Sequence, residues 1–94
     1  MIGIVATIKT KPGQGAAFEE VAQALAREVN ANEPGCLLYV LCRAEEPDTY
    51  VFMERYQDEA AVEAHRAAPH FKEYGRKMGE FMDGRPSVQR LKDV

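Results

Sequence analysis

The chain contains no tryptophan, two cysteines and two histidines in 94 residues. No apolar run nears the roughly 20 residues that span a bilayer. The amino-terminal stretch MIGIVATIKTK has no basic lead-in, no long apolar region and no cleavage site, so no export signal is expected and the cytoplasm is the default compartment. Cys36 and Cys42 come without a CxxC pair and without a ligand-forming spacing to histidine. Six residues apart on one strand, they would share a face about 20 Å apart. That is beyond disulfide reach, and two small, buried, reduced side chains are expected. Neither sign of charge dominates: 12 Lys and Arg against 15 Asp and Glu give a net charge of -3. Nucleic acid and anionic membrane surfaces therefore lose their electrostatic basis as partners.

What is present has ordinary globular proportions, 46% hydrophobic and 29% charged, which excludes a disordered chain. The length allows one domain over residues 1–94 with a small core, and a core of that size gains from a second copy. From Ile2 to Lys9 the residues alternate with period two, but apolar side chains fall on both faces, as in a strand covered on both sides. Lys11-Pro12-Gly13-Gln14-Gly15 is a turn. Phe18, Val21, Ala22, Leu25 and Val29 then recur at helical spacing, and this helix ends near Asn30–Asn32, before Glu33-Pro34-Gly35. Cys36–Arg43 and Tyr50–Gln57 read as two strands of an antiparallel hairpin, with Tyr50, Phe52, Glu54 and Tyr56 on one face of the second. Asp58 is placed to cap a helix over DEAAVEAHRAA. Pro69 interrupts it and starts another, whose apolar face runs through Phe71, Tyr74, Met78, Phe81 and Met82. Ser87–Leu91 offers a last short strand.

The order βαββααβ fits an α+β, ferredoxin-like sandwich with helices on one face of a four-stranded antiparallel sheet. The other sheet face carries apolar residues too, and its natural cover is the sheet of a second copy. A homodimer is expected.

Ala61, Ala64, His65 and Ala68 fall at i, i+3, i+4 and i+7, which turns His65 toward the sheet. Alanines opposite Tyr50, Phe52, Glu54 and Tyr56 leave room for a small-molecule pocket, in which histidine has the pKa and reach of a general base. His70, after Pro69, reaches either the pocket rim or the surface. Two histidines with four residues between them, and no clustered carboxylates, make a poor metal site. Glu54, in mid-strand between Phe52 and Met53, is expected to be desolvated. It either pairs with Arg43 on the neighbouring strand or orients His65. Tyr39, Tyr50 and Tyr56 read as core or interface residues whose hydroxyls suit a phenolic or carbonyl oxygen.

The strings IKTKPGQG, EPGCLLY, YVFMERY and EAHRAAPHFKEY, in this order and spacing, resemble the antibiotic biosynthesis monooxygenase domain family, nearest to its small bacterial quinol-monooxygenase-type members. The resemblance covers nearly the whole chain. It implies a dimeric α/β barrel and oxidation of a small aromatic quinol or phenol by O₂ without flavin, haem or metal. The site residues it suggests are His65 as base with Glu54 as its partner, and Tyr39, Phe52, Tyr56, His70 and Phe71 as substrate-binding walls. Family members commonly have tryptophan where this chain has Tyr56. Haem-degrading relatives carry asparagine where Thr7 stands, which disfavours that activity. Two alternatives remain: a non-catalytic ligand-binding or stress-related dimer, and an isomerase of a small, phosphorylated carbonyl metabolite.

Overall fold

Every second residue of the first strand, from Ile2 through Ile4 and Ala6 to Ile8, is buried, while the residues between them are only half-covered. That asymmetry shows which face the helices take. The computed structural model describes residues 1–94, with β1 (Ile2–Lys9), α1 (Gly15–Asn32), β2 (Cys36–Arg43), β3 (Thr49–Tyr56), α2 (Glu59–Ala67), α3 (Pro69–Gly79) and β4 (Ser87–Lys92). The strands form one sheet in the order β2-β3-β1-β4, every neighbouring pair antiparallel, and the helices lie on one face in a ferredoxin-like α+β arrangement.

Directly paired residues share a face, so register decides what meets beneath the helices. Glu54 pairs with Ile4 on one side and Tyr39 on the other, and Phe52 with Ala6 and Leu41. Phe18, Ala22, Leu25 and Val29 of α1 are fully buried against Tyr39, Phe52 and Met78. A second cluster joins Ile2, Ile4, Tyr56 and Val62. The opposite sheet face has no helix over it, and Leu38 (41% exposed), Met53 (45%) and Leu91 (47%) remain open there.

Two local expectations change. A β-bulge shifts the pairing of β2 between Cys36 and Leu38. One extra residue reverses the alternation, so Cys36 pairs with buried Tyr56 while Cys42 pairs with Val51 and lies near Met53 on the open face. The two free thiols thus sit on opposite faces rather than the same one. On α2, Val62 and His65 are the buried residues and Ala64 is exposed, so the inward stripe keeps His65 but runs through Val62 rather than Ala64. A valine buries more apolar area than an alanine and takes the core position.

Candidate functional site

The helix carrying His65 is short and held at both ends. The Asp58 carboxylate accepts a hydrogen bond from the Ala61 N–H at 2.9 Å and caps its start. At the other end, Ala68 must leave the helical region because Pro69 follows it, and its backbone is extended at φ −64°, ψ 137°. Pro69 opens α3 at once. This break brings Phe71 back over His65, with ring centroids 4.5 Å apart. Tyr39 and Tyr56 pack around the same imidazole at 5.2 and 5.5 Å.

The turn from α1 to β2 supplies the group bonded to His65. Pro34 cannot follow a helical residue easily, and α1 stops with Glu33 as its C-cap. Gly35 then passes so close to α2 that a Cβ there would lie 2.7 Å from that of Ala61. Its carbonyl accepts the Gln57 N–H at 2.9 Å, which fastens the turn to the start of the α2 segment. Because Ala61 and His65 share a helix face, this close approach delivers Glu33 to His65. The carboxylate oxygens lie 3.0 and 3.1 Å from His65 Nδ1, and His70 Nε2 bonds the same carboxylate from the other side.

A cavity of about 410 Å³ lies between the sheet and the α2–α3 layer. Ile4, Ala6 and Ile8 form its floor, Tyr39, Phe52 and Phe71 contribute aromatic walls, and His65 and Glu54 are the titratable groups inside. Arg66 and Arg85, both exposed, line its outer part. Burial pushes the Glu54 carboxyl up to about 7, against a hydrogen bond from the Tyr56 hydroxyl at 2.6 Å and the Arg66 charge, which both pull it down. Burial likewise lowers His65, outweighing its contact with Glu33, so the imidazole is uncharged at neutral pH. Tyr39 and Tyr56 are held in the protonated form, by burial first and then by the Glu54 charge. Only Thr10 Oγ1 is both sealed from solvent and without a hydrogen-bond partner. His65 Nε2, across the ring from the Nδ1 that meets Glu33, has no hydrogen-bond partner, and His65 lines this cavity and not the outer hollow around His70.

His65, Glu54, Tyr39, Phe52 and Phe71 thus meet at one cavity. Tyr56, fully buried, stands behind Glu54 rather than in the wall. His70 lies outside, in a separate surface hollow of about 400 Å³ that also includes Glu33 and Asp58. Glu54 does not bond His65: its Oε1 accepts from the Tyr56 hydroxyl two residues along the same strand face, and the carboxylate on His65 is Glu33. Arg43 pairs with Glu19 instead of Glu54, through bonds of 2.7 and 2.8 Å that Tyr50 joins at 2.6 Å. Glu33 is absent from the sequence-derived site because it lies 32 residues from His65, and only the Gly35–Ala61 packing joins them. No three His, Cys, Asp or Glu side chains cluster as metal ligands would, and no helix is long and apolar enough to cross a membrane.

A ferredoxin-like fold with a largely apolar cavity that holds an uncharged histidine and a pKa-raised glutamate defines a small-molecule site capable of proton transfer. Residues 1–77 match the family model described as antibiotic biosynthesis monooxygenase, and the chain belongs to that family. It is 31% identical over 96% of its length to a Bacillus subtilis protein named "Putative monooxygenase YcnE", covering 95% of that protein. A crystal structure of an antibiotic biosynthesis monooxygenase family protein from Caulobacter crescentus superposes with a TM-score of 0.96 at 42% identity, over 99% of this chain and 89% of that one. Rv0793 from Mycobacterium tuberculosis superposes at 0.90 with 25% identity, over 99% of this chain and 94% of that one.

Proposed function

We propose that this protein is a monooxygenase that oxidises a small aromatic quinol or phenol with O₂ and needs no bound cofactor, with His65 as its general base. The observation that carries the reading is the unpartnered Nε2 of an uncharged imidazole in an aromatic-walled cavity. About 410 Å³ suits a flat two- or three-ring substrate among Tyr39, Phe52 and Phe71.

His65 Nε2 takes the proton of a substrate hydroxyl, leaving an electron-rich phenolate in an apolar setting where its charge is poorly solvated. The phenolate supplies electrons to O₂. One oxygen atom enters the ring and the other leaves as water, so a quinol and O₂ become a hydroxyquinone and H₂O. Glu54, whose carboxyl burial pushes up to about 7, donates a hydrogen bond to the second ring oxygen or accepts its proton. The open apolar sheet face supports a homodimer, in which Leu38, Met53 and Leu91 gain cover from a second copy.

Isomerisation of a small carbonyl compound is the second reading. It is favoured by the presence of two proton-transfer groups in one cavity whose outer part carries Arg66 and Arg85. Oxygen uptake by metal-stripped protein separates the two, measured with a panel of reduced naphthoquinols and anthrones against spontaneous autoxidation. Uptake above background supports the oxygenase; binding of the panel without any uptake overturns it in favour of the isomerase or a binding module.

A further inference from the structure

We propose that Glu33 is the positioning residue of this site: clamped between the two histidines, it holds His65 in the tautomer whose Nε2 lone pair opens into the cavity. The proposal rests on the reading of His65 as the base. A carboxylate only accepts hydrogen bonds, and both Glu33 oxygens lie within 3.1 Å of His65 Nδ1. The proton of the neutral imidazole therefore sits on Nδ1, and the lone pair on Nε2. Free in water, the neutral histidine side chain favours the opposite tautomer, in which Nε2 carries the proton and is useless as a base. The contact with Glu33 inverts that preference.

Glu33 is itself held from three directions. Its backbone N–H donates to the Val29 carbonyl at 3.0 Å, Pro34 restricts its backbone, and Gly35 is pressed against Ala61. On the side away from the cavity, His70 Nε2 donates to Glu33 Oε2. His70 thus braces the carboxylate from the outer hollow, and the two histidines act in sequence rather than side by side. Glu33 touches neither the cavity nor a substrate within it; its effect reaches the reaction only through the His65 ring.

Long-range ¹⁵N–¹H correlation spectra of ¹⁵N-histidine-labelled protein at pH 8 read the tautomer directly. With only two histidines, His70→Gln assigns both. In the wild type the His65 pattern is expected to show the proton on Nδ1. In Glu33→Gln, whose amide offers Nδ1 a competing donor and only a weaker, uncharged acceptor, the Nε2–H population rises, and the oxygen-uptake rate at saturating substrate falls roughly 10–100-fold with little change in KM. Glu33→Asp, which keeps the accepting carboxylate, recovers part of the Nδ1–H population. A wild-type His65 protonated on Nε2, or a folded Glu33→Gln protein with an unchanged tautomer, overturns the proposal. Should Glu33→Gln fail to fold, the wild-type spectrum decides alone. The spectra need no substrate, so failure of the quinol reading would appear separately, as absent oxygen uptake with the Nδ1–H tautomer intact.

Discussion

At the scale of single residues, Glu54 and His65 are both displaced toward their uncharged forms by the same cause, removal from water. Their effects on stability run in opposite directions with pH. The Glu54 carboxyl binds its proton up to about 7 in the folded chain, against a reference value of 4.5. Between those values the folded state holds more protons than the unfolded one, so stability falls as pH rises through the window and stays low above it. His65 is lowered, so its neutral form favours the folded state above its ordinary pKa, and that contribution is lost on acidification. Glu54→Gln, which retains an acceptor for the Tyr56 hydroxyl, isolates the first effect. Relative to wild type, the variant is expected to gain about 2–3 kcal/mol between pH 5 and pH 8 in urea denaturation. An equal difference at both pH values would show that Glu54 is not desolvated.

At the scale of elements, the site depends on how closely the α1–β2 turn approaches α2. Gly35→Ala places a Cβ against that of Ala61 and forces the helix outward, at an expected cost of about 1–3 kcal/mol. Ala61→Gly costs about 1 kcal/mol by itself as a glycine within a helix. The double variant is expected to be more stable than the sum of the two predicts, by about 1 kcal/mol or more, because the added Cβ then meets open space. Strict additivity in urea denaturation would show that the approach is not tight. This same approach explains what the sequence could and could not disclose. Strands, helices, the Asp58 cap and the Pro69 break were legible because each follows from spacing within a dozen residues. His65 could be placed toward the sheet by helical periodicity, and Phe52 and Glu54 by strand alternation. Glu33 could not be placed, since a carboxylate before proline reads as part of a turn until Gly35 meets Ala61. The bulge after Cys36 was equally hidden, because one inserted residue leaves no mark on an apolar run.

At the scale of the whole molecule, one sheet face carries the helices and the cavity, and the other carries Leu38, Met53 and Leu91 open to water. β4 is an exposed edge strand throughout. A second copy on the open face would remove this apolar surface from water, and Met53→Asp would then bury a charge there without a partner. Sedimentation is expected to find a wild-type dimer at micromolar concentration and a dissociation constant raised roughly 100-fold or more in Met53→Asp. A monomeric wild type, or an undiminished dimer in the variant, would contradict the arrangement. The cavity opposite is where the proposed chemistry would take place, and the comparison that tests that proposal most directly is the rate of oxygen consumption at saturating quinol for wild type and His65→Ala. The base assignment requires the rate constant to fall on the order of 100-fold or more while substrate affinity changes only a few-fold. An unchanged rate constant, with affinity alone weakened, would make His65 part of the wall and not the base.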